Sequence, residues 1–119
     1  MHQKAQSKFL NVDDLCMSPD KAIFIHDTWH IIEVNQAACD LFRCDREALI
    51  DLDMMELLYS PDFRGLARLR MTMLRENKIL PPIKYQFLRY DGSVFWATVL
   101  TNILFDGDFE TTLNYEYEE

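Results

Sequence analysis

"HIIEVNQAACDLF", residues 30–42, changes its hydrophobic period in the middle. Ile32 and Val34 alternate with Ile31 and Glu33, the period of a half-buried strand, whereas from Asn35 onward Ala38, Leu41 and Phe42 recur at the i, i+3, i+4 spacing of a helix face. One residue joins the two. An Asn side chain accepts from the free N–H groups of a first helical turn while its own backbone stays extended, so Asn35 ends the strand and caps a helix over 36–43.

Upstream, "AIFIHD" (22–27) is another β-branched run that forms a hairpin with 30–35 across Thr28-Trp29. A two-residue loop puts Ile23, Ile25, Ile32 and Val34 on one face. Residues 1–21 carry Phe9, Leu10, Val12 and Leu15 in an amphipathic stretch before Ser18-Pro19-Asp20, and read as an N-terminal helical cap on a domain over 22–119. Downstream, Asp45 is placed to cap "REALI" and "DMMELL" (53–58) makes a further short helix. Ser60-Pro61-Asp62 supplies a cap, a Pro at the first helical position and an acid in the first turn of a longer helix to about Asn77.

The remainder is β. "IKYQFLRY" and "SVFWATVLTNILF" flank Asp91-Gly92, and "ETTLNYEYEE" follows Asp106-Gly107, so two hairpins join three strands. The order β-β-α-α-α-α-β-β-β defines an α+β fold: a five-stranded antiparallel sheet with the helices inserted between strands 2 and 3 and packed on one face.

Composition excludes several functions. The 119 residues suit one domain, and 12 basic against 20 acidic side chains give a formal charge of −8, a field that repels phosphate backbones and anionic membrane surfaces. No window approaches a membrane span, and "MHQKAQSKFL" is too polar for a secretory signal, so the expectation is a cytoplasmic chain. Cys16, Cys39 and Cys44 lack metal-site spacing and read as free thiols. His26 and His30 flank "DTW" without a third ligand and read as turn residues rather than a metal site.

Register assigns the faces. Ile83, Tyr85 and Phe87 alternate with Lys84 and Gln86 and point to the core. A three-residue loop at Tyr90-Asp91-Gly92 sets Phe87 on the face of Phe95, Ala97, Val99 and Thr101. A two-residue loop at Asp106-Gly107 pairs Leu100 with Leu113, Thr98 with Tyr115 and Trp96 with Tyr117. The outer face then carries Trp96, Leu100, Leu113, Tyr115 and Tyr117, an apolar patch that either the leading helix or a second copy of the chain would cover. The same register turns Thr112, Asn114 and Glu116 toward the helices, where buried polar groups need partners.

On the long helix, Arg70 falls inside the apolar stripe of Phe63, Leu66, Ala67, Leu69, Met71, Met73 and Leu74. Three fates are open to it: snorkelling to the helix edge, an internal pair with Glu116 or Glu56, or an anionic ligand held beside Tyr85 and Asn114.

In order and spacing, "EVNQAA" after the first hairpin, "LFRCDREAL", "YSPDF" and "RYDGSVFW" with its long following strand resemble the PAS family of sensory domains across residues 18–118. The chain departs from the family pattern at Trp29, where Gly is usual, and at Arg43-Cys44-Asp45. The resemblance implies a sensory module that holds a small ligand between sheet and helices and signals through rearrangement of a homodimer to an effector such as a kinase or cyclase of a bacterial regulator. The alternative is a ligand-free interaction and dimerisation domain. The expected ligand-binding residues are Arg70, Tyr85, Phe87, Ala97, Thr101, Asn114 and Glu116; the expected dimer face is the outer patch.

In the flavin-binding branch of the family, the position resembling Glu116 bonds the isoalloxazine ring, but the photoactive "NCRFLQ" segment is absent here. Residues 61–82 hold no axial His for a haem. Neither a haem nor a light-induced flavin adduct is expected. An enzyme is not expected either, since Glu116 is the only plausible base and no supporting nucleophile or phosphate loop accompanies it.

Overall fold

A computed structural model describes residues 21–28, 30–104 and 106–119; the expected leading helix lies outside them. The elements are β1 (Ala22–His26), β2 (Ile31–Val34), α1 (Gln36–Phe42), α2 (Arg46–Leu49), a 3-10 turn (Met54–Leu57), α3 (Pro61–Arg75), β3 (Ile83–Leu88), β4 (Val94–Ile103) and β5 (Phe109–Glu118). The strands form one antiparallel sheet in the order β2-β1-β5-β4-β3, with the helices between β2 and β3 as expected.

Asn35 does more than cap. Its Oδ1 accepts from Ala38 N in the first turn of α1 and from Ile23 N, both at 3.0 Å, and its Nδ2 donates to Lys21 O at 2.8 Å. One buried side chain thus fastens strand end, helix start and the entry of β1. Ser60 caps α3 through Asp62 N with Pro61 behind it, and Asp53 caps the 3-10 turn through Met55 N. Asp45 is extended at the start of α2 but makes no side-chain cap bond, which corrects the expectation there.

The first hairpin closes between Asp27 and His30, as a two-residue loop requires, but a bulge beyond it changes the faces. Phe24 pairs with Val34 and Ile25 with Glu33, so Val34 joins the helix-side core while Ile23 and Ile25 pack with Ile32 in a separate cluster on the other face. The extra residue sits on an edge strand, where bulges are best tolerated. It also leaves Glu33 free to take both guanidinium arms of Arg46, at 2.7 and 2.6 Å.

The β3–β4 hairpin has the expected register, Phe87 opposite Phe95, with Arg89 N donating to Ser93 O and Gly92 at φ 89° ending the three-residue loop. The last hairpin does not follow the two-residue expectation. Leu104 N donates to Asp108 O and Gly107, at φ 94°, ends a three-residue loop of the same kind. The register moves by one: Val99 faces Leu113, Leu100 faces Thr112 and Thr101 faces Thr111.

That slip exchanges the faces of β5. Leu113 is 1% exposed in the core, and Tyr115, opposite Ala97, lays its ring 5.9 Å from Phe95; neither belongs to the outer patch. Thr112 and Asn114 face outward. A bulge at Trp96/Ala97 restores the expected Trp96–Tyr117 pair and leaves Glu116 outside, accepting from Thr98 Oγ1 at 2.7 Å. The outer face of β4 and β5 therefore keeps Trp96, Leu100 and Tyr117 among Thr, Asn and Glu side chains.

Core packing centres on Phe42, fully buried at the end of α1, whose ring meets Phe24, Phe87 and Phe95 edge-on at 5.8, 6.0 and 5.3 Å. Arg89 closes the end of the sheet. Its guanidinium lies 4.4 Å from the Phe95 ring centroid, donates to Leu41 O and takes Glu118 in bidentate fashion at 2.7 and 2.9 Å.

Candidate functional site

Between the sheet and α3, beside the contact of Phe63 with Tyr85, the side chains leave a cavity of about 50 Å³. Since one water needs roughly 10–15 Å³ of such space, it has room for about three or four waters, or for one short aliphatic molecule in their place. Its geometry follows from the two periods. Tyr85 and Phe87 of β3 and Val99 and Thr101 of β4 are the helix-facing set of their strands, and Ala67, Arg70, Met71 and Leu74 are one face of α3. Met54 and Met55 of the 3-10 turn, with Leu58, close a third side. Three flexible thioether side chains, Met54 and Met55 on this side and Met71 on α3, make the lining adaptable to the shape it meets.

The polar groups are few and lie in two sets. Along one side, His26 at the end of β1 is 2% exposed; its Nε2 is 2.7 Å from Thr111 Oγ1, which is 2.8 Å from Thr101 Oγ1. His26 Nδ1 is 2.9 Å from the carbonyl of Asp27. A carbonyl can only accept, so Nδ1 carries the proton. Burial holds the imidazole below its ordinary pKa of 6.5, against the opposing pull of the Asp27 carbonyl and of the Asp27 and Asp108 charges, so the ring is neutral near pH 7. Its face stacks on Phe109 at 5.5 Å, and the Arg75 guanidinium sits 4.7 Å from the same Phe109 ring.

The second set is Arg70 with Tyr85. Burial raises the Tyr85 phenol and the neighbouring Arg70 charge lowers it, with burial the larger effect. Arg70 contributes its stem to the cavity wall and turns its head to the Pro81 carbonyl, half exposed. It pairs with neither acid proposed for it. Glu56 is exposed on the 3-10 turn, and Glu116 is on the outer face bonded to Thr98.

Of the seven residues expected at the site, Arg70, Tyr85, Phe87 and Thr101 line the cavity. Ala97 is fully buried on the correct face but does not reach the cavity wall. Asn114 and Glu116 lie on the opposite side of the sheet, because the one-residue slip of β5 turns them outward. The same slip brings in Thr111, which the sequence reading left unassigned. His26 was read as a turn residue, although Ala22, Phe24 and His26 share a period-2 face that marks it as inward. The methionines were legible in "DMMELL" and "LRMTML" only as core. Among the described residues no group of His, Cys, Asp and Glu could hold a metal ion, and no helix is long and apolar enough to cross a membrane.

The result is an α+β architecture, an antiparallel sheet with short helices inserted after its second strand and a small cavity between the two layers. The chain belongs to the PAS domain family, whose model matches residues 20–114. No curated protein matches the chain. Solved structures do. A domain of a sensory box sensor histidine kinase/response regulator from Geobacter sulfurreducens has a TM-score of 0.72 at 17% identity, covering 96% of this chain and 99% of that one.

The PAS domain of a LuxR-family transcriptional regulator from Burkholderia thailandensis, solved in complex with ethanol, has a TM-score of 0.67 at 21% identity over 80% of this chain and 88% of its own. The PAS domain of the RpfR quorum-sensing receptor from Cronobacter turicensis, in complex with C12:0, has a TM-score of 0.69 at 13% identity over 81% and 93%. At these identities the likeness is one of fold.

Proposed function

We propose that this PAS domain is a non-catalytic sensory module that takes a small organic ligand into the cavity between the sheet and α3 and passes its occupancy to an effector in a cytoplasmic regulator. The observation that carries this reading is the cavity itself: apolar and methionine-walled, with hydrogen-bonding groups confined to two positions. A pure interaction domain fills the same space with its own side chains. The catalytic reading rested on Glu116 as its base, and Glu116 is on the far side of the sheet. Similarity in fold to PAS domains solved with ethanol and with C12:0 supports a ligand-binding role. Thermal melts against a panel of short alcohols, amides and carboxylates test it: a ligand at about 100 times its Kd adds roughly 2.7 kcal/mol, a rise of several degrees. A panel that leaves the midpoint unmoved overturns the reading.

The signalling half of the proposal uses a second copy docked on the outer sheet face. Trp96 and Tyr117, their rings 6.3 Å apart, and the exposed Leu100 favour that surface, although it is smaller than the five-residue patch expected. Sedimentation equilibrium at micromolar concentration should give a dimer for the wild type and a monomer for Trp96→Asp. Two monomers of equal stability would remove this half of the proposal.

A further inference from the structure

We propose that the cavity selects ligands that donate a hydrogen bond, small aliphatic alcohols being the class that fits, through a directed chain of acceptors ending at Thr101. The inference deepens the ligand-binding reading above and rests on it. Its starting point is fixed by backbone. The Asp27 carbonyl takes the proton on His26 Nδ1, so Nε2 of the neutral ring presents a lone pair. Thr111, 2.7 Å away, must donate its only hydroxyl proton to that lone pair. Thr111 Oγ1 then has none left for its other neighbour, and Thr101, 2.8 Å away, must donate to Thr111.

The chain thus runs in one direction, from Thr101 to Thr111 to His26 to the Asp27 carbonyl. Each hydroxyl proton is used along it, and what remains at the cavity end is the oxygen of Thr101, with lone pairs and no proton to offer. All three side chains line the cavity. An alcohol can donate to that oxygen and lay its alkyl part against Met54, Met55 and Met71. Against that oxygen, an ether, ester or ketone of the same size would set lone pair against lone pair, the donors left to it being Tyr85 and Arg70 on the other side of the cavity. Reversing the chain needs a second proton on His26, which burial of the ring opposes. Asp27 and Asp108 favour that protonation, and two cations face the ring's surroundings from α3, Arg75 over the adjoining Phe109 ring and Arg70 in the cavity lining.

The test is NMR titration of the full chain at pH 7.5 with 1-butanol and with methyl propyl ether, close in size and shape but lacking the O–H. We expect the wild type to bind 1-butanol about three- to tenfold more tightly, the value of one hydrogen bond. Thr101→Val, near-isosteric and without the hydroxyl, should lose the preference, and Thr101→Ser should retain it. Equal affinity of the wild type for both probes overturns the inference while leaving the cavity reading in place, as does a preference undiminished in Thr101→Val. Binding of neither probe by the wild type overturns both.

Discussion

Replacing Phe42 by Ala should cost about 3–5 kcal/mol in unfolding free energy, the largest loss expected from any single truncation in this chain. The ring is fully buried at the junction of α1 with the sheet, and its three edge-on partners, Phe24, Phe87 and Phe95, come from three different strands. Phe87 and Phe95 are stacked on one another at 5.6 Å, which restrains both from collapsing into the space. The cost therefore sits toward the cavity-forming end of the range, and the aromatic contacts add to the burial lost. Against a typical stability of about 5–15 kcal/mol this leaves a domain close to its threshold. Urea denaturation measures it, and Phe42→Leu should lose less than half as much. A Phe42→Ala loss below about 1.5 kcal/mol would mean that α1 is not packed as described.

Asn35→Ala should cost about 2–4 kcal/mol, well beyond an ordinary helix cap. A lost cap is typically worth about 1 kcal/mol, and a stranded buried donor a further 1–3 kcal/mol. Ala38 N keeps a weak bond to the Asn35 backbone carbonyl at 3.2 Å, but Ile23 N relies on the Asn35 side chain, and Lys21 O loses the amide donor. Asn35→Ser separates the two parts. Its oxygen, one bond nearer the backbone, can cap Ala38 N but cannot also reach Ile23 N, so it should recover only the share due to the cap. If Ser restores full stability in denaturation curves, the tie to β1 carries no energy and Asn35 is only a cap.

Asn35 shows how far the chain could be read without coordinates. Its strand-to-helix change of period, the Ser60-Pro61-Asp62 start of α3 and the Gly92 loop are local signals, each decided within a few residues, and each appears where the sequence puts it. What failed was non-local. Asp-Gly suits both two-residue and three-residue hairpin loops, and at Gly107 the difference of one residue decides which face of β5 meets the helices. Leu113 and Tyr115 were assigned outward, and Asn114 inward, on that one choice. Glu116 was assigned inward on the same choice as Asn114, whereas the bulge at Ile25/His26 leaves no mark in a pattern of alternation, so the placement of Val34 followed the unbroken period and missed.

The site was legible in proportion. Tyr85, Phe87 and Thr101 lie on strands whose register was read correctly, and Arg70 on a helix face that its wheel defines; all four line the cavity. Thr111 and the role of His26 depended on the last hairpin and could not emerge until its register was known. The inward side of His26 was legible from Ala22 and Phe24, but its hydroxyl partner lies on β5 and follows from that strand's register.

The central claim is that ligand enters the space between the sheet and α3. Methyl-labelled methionine gives the most direct test, since Met54, Met55 and Met71 line that space and Met73, on the same helix as Met71, does not. On titration with 1-butanol, the methyl resonances of Met54, Met55 and Met71 should shift together along one saturating curve while Met73 stays in place. Saturating shifts elsewhere that leave those three methyls unmoved, or no saturating shift at any methyl, would contradict the account.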